Sequence, residues 1–315
     1  MQSADLDGYR AGLGYEGRPV PAYQTFGVRI VEVGGGRAVV RLAVAPPLLG
    51  TDGRLLAGAL AVIADAACGT AVAVAGPGGP PMLTAQLRLE VVRPLPVAPG
   101  WLTADGQADF AGDDSGLARG ELVDAAGELV AVTSLRAINP QRSLASTPAS
   151  TPASHPDSAQ MDSTHSPSEA DPTSSAIVSG ANPPAAVPPL AGALSALLGV
   201  VSRTRKRGES ELTLRPGLQV ANSFGAVHGG VLGLIAHIVA ADAQATVLVP
   251  GERLVPLDLA VNYLRGVPAG GEPVTAAATV AYRGRQFVVA EGELRNSDGR
   301  GAIRFSCGAQ IRRSG

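Results

Sequence analysis

Residues 222–243, NSFGAVHGGVLGLIAHIVAADA, hold a His-Gly-Gly turn that opens a long apolar helix. A helix start leaves N–H groups unpaired and carries the positive end of the helix dipole. Such groups suit an oxygen on which negative charge develops. Gly229 and Gly230 would let a small molecule reach that backbone with no Cβ in the way. Two turns on, His237 interrupts the apolar run. It reads as a core histidine in preference to a remnant of a second site. A second chemical group lies far upstream. Asp65 sits in LLAGALAVIADAACGTAVAVA, with small apolar residues on every helical face. A lone buried carboxylate is strongly disfavoured unless it is paired or protonated. A functional reason for keeping it therefore outweighs the alternative, a solvent-facing position on a partly covered helix.

These residues need elements to position them, and the chain supplies the same set twice. Shifting the sequence by 172 positions pairs Gly27 with Gly199, Gly58 with Gly230, Ile63-Ala64 with Ile235-Ala236 and Arg93 with Arg265. The register still holds at Gly120-Glu121-Leu122 with Gly292-Glu293-Leu294. Two copies of one domain follow, because a chance match would not keep one register over that length. Each copy begins with two short β-rich runs, 26–33 and 37–44 in the first and 198–204 and 210–215 in the second. One apolar helix follows, about 54–75 and about 229–247. Four strand-like runs complete each copy: 82–92, 101–111, 117–124 and 128–138, then 254–264, 273–283, 286–295 and 301–312. One long helix on an antiparallel sheet is an α+β layer. It leaves an edge and an apolar surface that two copies would cover by pairing.

The expected domains are 1–139 and 190–315, joined by a Ser/Thr/Pro/Ala-rich tether over 140–189. The tether has too few large apolar side chains to offset the entropy of ordering. Apolar residues make up 45% of the chain and the net charge is −2, which argues against disorder and against a nucleic-acid partner. The runs near 55–75 and 229–249 carry Asp65, His237 and Asp242, and read as core helices and not membrane spans. Cys68 and Cys307 show no metal-ligand or redox spacing, and read as buried apolar residues of a reducing compartment. MQSADLDGYR carries acids and lacks an apolar core, so it does not read as a secretory signal. A cytoplasmic setting is the expectation.

The element order, with Asn222 six positions before His228-Gly229-Gly230 and with LDLAVNYLRG at 257–266, resembles the hotdog-fold acyl-CoA thioesterases. The resemblance is strongest to their phenylacetyl-CoA/4-hydroxybenzoyl-CoA thioesterase-like branch. It covers most of 190–312 and, more faintly, 25–139. It implies a double hotdog whose halves pair within one chain, the two helices lying antiparallel under a continuous sheet. In that family one unit contributes the amide after the histidine and an upstream Asn, which bind the thioester oxygen. The other contributes a mid-helix carboxylate and a Ser or Thr at the next strand. In the second half those latter positions hold His237 and Pro256. The 172-residue shift finds Asp65 and Thr84 there instead, while Asn222, His228 and Gly229 fall back on Gly50, Leu56 and Ala57. Each half lacks what the other keeps, so one complete site and one degraded site are expected.

The resemblance thus implies a catalytic set of Asp65, Thr84, Asn222, His228 and Gly229, with Gly230 contacting substrate. Arg283 and Arg285 of YRGRQF resemble the Gly-Arg that such enzymes carry near the coenzyme A groove. The implied substrate is an acyl-CoA or an acyl-carrier-protein thioester, with no cofactor and no metal. A homodimer of such chains is a further partner expectation. Arg203-Thr-Arg-Lys-Arg207 reads as a solvated hairpin. Two rival functions stay open: a hotdog dehydratase or hydratase using His237, and a non-catalytic acyl-CoA-binding protein.

Overall fold

The computed structural model describes residues 7, 14, 17–50, 53–76, 82–96, 100–140 and 192–313. From residue 141 onward, the tether expected over 140–189 lies outside the described residues. The first half runs α1 (Pro21–Phe26), β1 (Val28–Gly34), β2 (Arg37–Ala43), α2 (Ala57–Ala75), β3 (Leu83–Val91), β4 (Trp101–Ala111), β5 (Ser115–Val123) and β6 (Leu129–Ile138). The second runs α3 (Gly192–Leu198), β7 (Val200–Lys206), β8 (Glu209–Leu214), α4 (Gly229–Ala245), β9 (Glu252–Tyr263), β10 (Val274–Arg283), β11 (Phe287–Arg295) and β12 (Gly301–Arg313). The order is the same in both, so the α+β double hotdog expected from the sequence is what the chain adopts.

All twelve strands form one antiparallel sheet, in the order β1-β2-β4-β5-β6-β3-β9-β12-β11-β10-β8-β7. The halves join where β3 pairs with β9. Arg88 faces Ala260 there, while Gln86 faces Asn262 and Glu90 faces Asp258. Arg88 and Ala260 are equivalent positions 172 apart, so an approximate two-fold axis passes between them. Joining the halves at these strands removes two open edges that would otherwise invite pairing with other chains.

The two long helices lie together against this sheet and carry much of the core. In α2 every residue from Ala57 to Cys68 is buried. By length and composition α2 could cross a membrane, but 89% of its most apolar 18-residue stretch is enclosed by the rest of the protein. Its small residues serve a close, antiparallel approach to α4. A Cβ on Gly230 would fall 2.5 Å from the Val62 Cα, and one on Gly58 2.9 Å from the Leu234 Cα. These two contacts are each other's image across the two-fold axis.

Two departures from the sequence reading are local. The strands expected to begin at 26 and 198 begin two residues later, because the short helices α1 and α3 come first. Gly27 (φ 70°) and Gly199 (φ 69°) end those helices in the left-handed region, a stop that glycine accepts without strain. Arg203 is not a solvated arm of its hairpin. Its side chain is 15% exposed and pairs with the buried Asp242 of α4, its Nε donating to Oδ2 at 2.6 Å. Removing a guanidinium from water in this way requires such a bidentate partner.

Candidate active site

The antiparallel crossing sets Asp65, midway along α2, against the first turn of α4. Asp65 is 6% exposed. The Gly230 amide donates to its Oδ2 at 2.8 Å, and the Thr84 hydroxyl at the start of β3 donates to its Oδ1 at 2.6 Å. Hydrogen bonds to a charged group contribute about 1.5–3 kcal/mol each. Two of them offset much of the several kcal/mol that burying an ion costs in a real protein. Both carboxylate oxygens are thereby fixed in direction.

His228 caps α4. The Gly230 amide is shared with its Nδ1 at 3.2 Å, and Nδ1 lies 3.3 Å from Asp65 Oδ2. Burial pushes the His228 pKa down and the Asp65 charge opposes that only in part. A neutral imidazole accepting at Nδ1 follows, with its proton on Nε2. The Tyr23 ring holds the imidazole edge-on, centroids 5.4 Å apart.

The next amide back, that of Gly229, has no acceptor among the described residues. It lies on the wall of a cavity of about 360 Å³, bordered also by Asp65, Thr84, Asn222, His228 and Tyr263. A Cβ at position 229 would stand 2.8 Å from Asp65 Oδ2, so a larger residue there would push this carboxylate off its seat. One unspent amide, one oriented carboxylate and a hydroxyl beside it can together polarise a carbonyl and direct an oxygen nucleophile onto it.

The structure thus gathers Asp65 and Thr84 of one half with His228, Gly229 and Gly230 of the other. Asn222 borders the same cavity, but its Oδ1 accepts from the Phe224 and Ala226 amides at 2.9 and 3.1 Å and so shapes its own loop. Only its Nδ2 remains to serve a ligand. Arg283 and Arg285 are not brought to this cavity. Arg283 sits on the β10–β11 hairpin, where Nη2 donates to Glu252 at 2.7 Å. The arginine that does border the cavity is Arg265, just past β9. Tyr263 also borders the cavity, outside the sequence motifs. Its hydroxyl donates to the Gly229 carbonyl at 2.9 Å, and burial with the nearby Asp65 charge raises its pKa well above the ordinary value. The signal was available, because position 91, its counterpart in the first half, holds Val.

Comparisons with known proteins bear on the family and the fold. Residues 17–134 match the family model for the acyl-CoA thioesterase C-terminal domain, and residues 224–303 match that of the thioesterase superfamily. A protein of Deinococcus radiodurans, provisionally named an esterase, is 33% identical over 125 residues, 39% of this chain and 76% of its own length. Among solved structures, the tesB protein of Mycobacterium avium subsp. paratuberculosis superposes with a TM-score of 0.61 at 11% identity, over 92% of this chain and 98% of that one. The acyl-CoA thioesterase II TesB2 of Mycobacterium marinum gives 0.57 at 15% identity, over 93% and 98%. At these identities the solved structures show a shared fold.

Proposed function

We propose, for a chain that belongs to the thioesterase superfamily and is a thioester hydrolase of hotdog fold, that hydrolysis occurs at one composite site per chain with an acyl-CoA as substrate. The observation that carries this reading is the Asp65 carboxylate of one half held on the Gly230 amide of the other, beside an unspent Gly229 amide. The thioester carbonyl oxygen takes the Gly229 N–H, with Asn222 Nδ2 as a second donor. Asp65 removes a proton from a water whose oxygen attacks the carbonyl carbon. The C–S bond then breaks, and the thiolate leaves and takes up a proton. Alternatively the carboxylate attacks the carbonyl carbon directly, the C–S bond breaks with loss of the thiolate, and water opens the resulting mixed anhydride to the free acid and the restored carboxylate. Thr84 keeps the carboxylate aimed in either route.

The same reading takes 1–139 and 190–315 as the two hotdog units with 140–189 between them, and places the protein in the cytoplasm. A carrier-protein thioester would present the same reacting group as an acyl-CoA. The hydratase reading rests on His237, which has no carboxylate partner among the described residues. The test is a panel of acyl-CoA esters, short, long and aromatic, scored for free thiol and for hydration of enoyl members. We expect stoichiometric thiol and acid from at least one ester. Hydration without thiol release, or binding without either, would overturn the assignment.

A further inference from the structure

The two halves enclose a second cavity, of about 320 Å³. It is the counterpart of the first across the two-fold axis. Leu56, Ala57, Arg93 and Pro256 stand in it where His228, Gly229, Arg265 and Thr84 stand in the first, and His237 replaces Asp65. The chemistry at its helix start has therefore been stripped, but the space has not closed.

The first cleft shows what such a place holds. There the second amide of the helix, that of Gly230, is taken by a carboxylate oxygen at 2.8 Å. At the second cleft the Ala57 amide borders the cavity and has no acceptor among the described residues; the Gly58 amide behind it has none either, and no side chain caps the helix. His237 stands against them. A Cβ on Gly58 would lie 3.0 Å from the His237 Cβ. His237 is 8% exposed and its buried Nδ1 has no hydrogen-bond partner. Buried polar groups without partners are rare, and each calls for an explanation. Burial lowers the His237 pKa to about 4, so near neutrality the ring is uncharged and can still donate one N–H.

The rest of the wall indicates the ligand. Leu55, Val91, Leu254 and Val255 make it aliphatic, and exposed Arg54, Arg93, Arg253 and Arg312 border it with no acid among the described lining residues. Arg93 is also paired with Glu128. A volume near the small end of the usual range of about 300–1,000 Å³ suits a compact molecule.

We propose that this second cleft binds an aliphatic monocarboxylate without transforming it, the carboxylate seated on the Ala57 amide and His237, the chain along Leu55 and Leu254. A free acid is also the product class of the hydrolysis proposed above. The inference nevertheless rests on the geometry of the second cleft and not on turnover. The probe is hexanoate, titrated into the full chain by calorimetry and by amide shifts of isotope-labelled protein. We expect a site outside the Asp65 cleft with the largest shifts at Ala57 and His237, and hexanol binding at least about tenfold more weakly for want of the charge-assisted bonds. Asp65→Asn should leave those shifts in place. His237→Asp gives the helix a carboxylate of its own and should abolish them. Should that variant fail to fold, the unmodified protein still decides the matter. No binding at millimolar hexanoate, shifts confined to Gly229 and Gly230, or equal binding of hexanol would each overturn the proposal.

Discussion

Replacing Asp65 by Asn separates chemistry from structure because the site can hold the amide with almost no rearrangement. Asp65 Oδ2 accepts from the Gly230 amide at 2.8 Å, and Oδ1 accepts from the Thr84 hydroxyl at 2.6 Å. An Asn carbonyl oxygen can keep the first bond. Its NH₂ can donate to the Thr84 oxygen once that hydroxyl turns, since a hydroxyl both donates and accepts. The fold loses no partner and sheds a buried charge. The chemical step loses the only carboxylate bordering the cavity among the described residues. A lost general base lowers kcat by roughly 100- to 10,000-fold, or about 2.7–5.4 kcal/mol of barrier. KM should stay within about threefold, because the Gly229 amide and the cavity walls are untouched. Thiol release from the best ester of the panel gives kcat and KM, and a thermal melt reports the fold. A kcat reduced less than tenfold with an unchanged melt would refute the role given to Asp65. A large fall in melting temperature would show that the two hydrogen bonds serve the fold first.

Other consequences are equally open to measurement. Thr84→Val removes a hydroxyl donor from a charged acceptor, a loss of about 1.5–3 kcal/mol, so kcat should fall roughly 10- to 100-fold while substrate still binds. Gly230→Ala drives a Cβ to 2.5 Å from the Ala61 carbonyl oxygen and the Val62 Cα, and should lower stability by about 1–3 kcal/mol or more in urea unfolding. His237→Asn should leave kcat within about twofold of wild type, since His237 borders the other cavity; a collapse of activity would put the chemistry in the wrong cleft. His237 also predicts acid sensitivity. Its folded pKa of about 4 lies below the ordinary 6.5, so the unfolded chain binds the proton first. Stability is then whole above about pH 6.5 and is lost as pH falls toward 4, by up to about 3 kcal/mol. The urea midpoint should fall less between pH 7 and 4.5 in His237→Asn than in the wild type.

The sequence exposed the fold because its glycines and apolar runs repeat at one spacing, and that spacing carried Asp65 and Thr84 to the other half's helix start. What it hid was set by tertiary contacts. Nothing local reveals that Asn222 spends its carbonyl oxygen on two loop amides, or that Tyr263 reaches the Gly229 carbonyl. Nor does the YRGRQF motif tell that its hairpin pairs Arg283 with Glu252. The short helices before β1 and β7 are not legible in the sequence, because each is about two turns or less of mostly apolar residues that read equally well as strand.

The close crossing of α2 and α4 makes the helix pair a single ruler graduated at both ends. Asp65 meets Gly230 at one mark and His237 meets Gly58 at the other, and on each helix the two marks stand seven residues, or about 10.5 Å, apart. Because the helices are antiparallel, a slip of one past the other offsets both marks by the same distance. Neither cleft can be lengthened or shortened alone, and the glycine contacts that forbid the slip calibrate the two together.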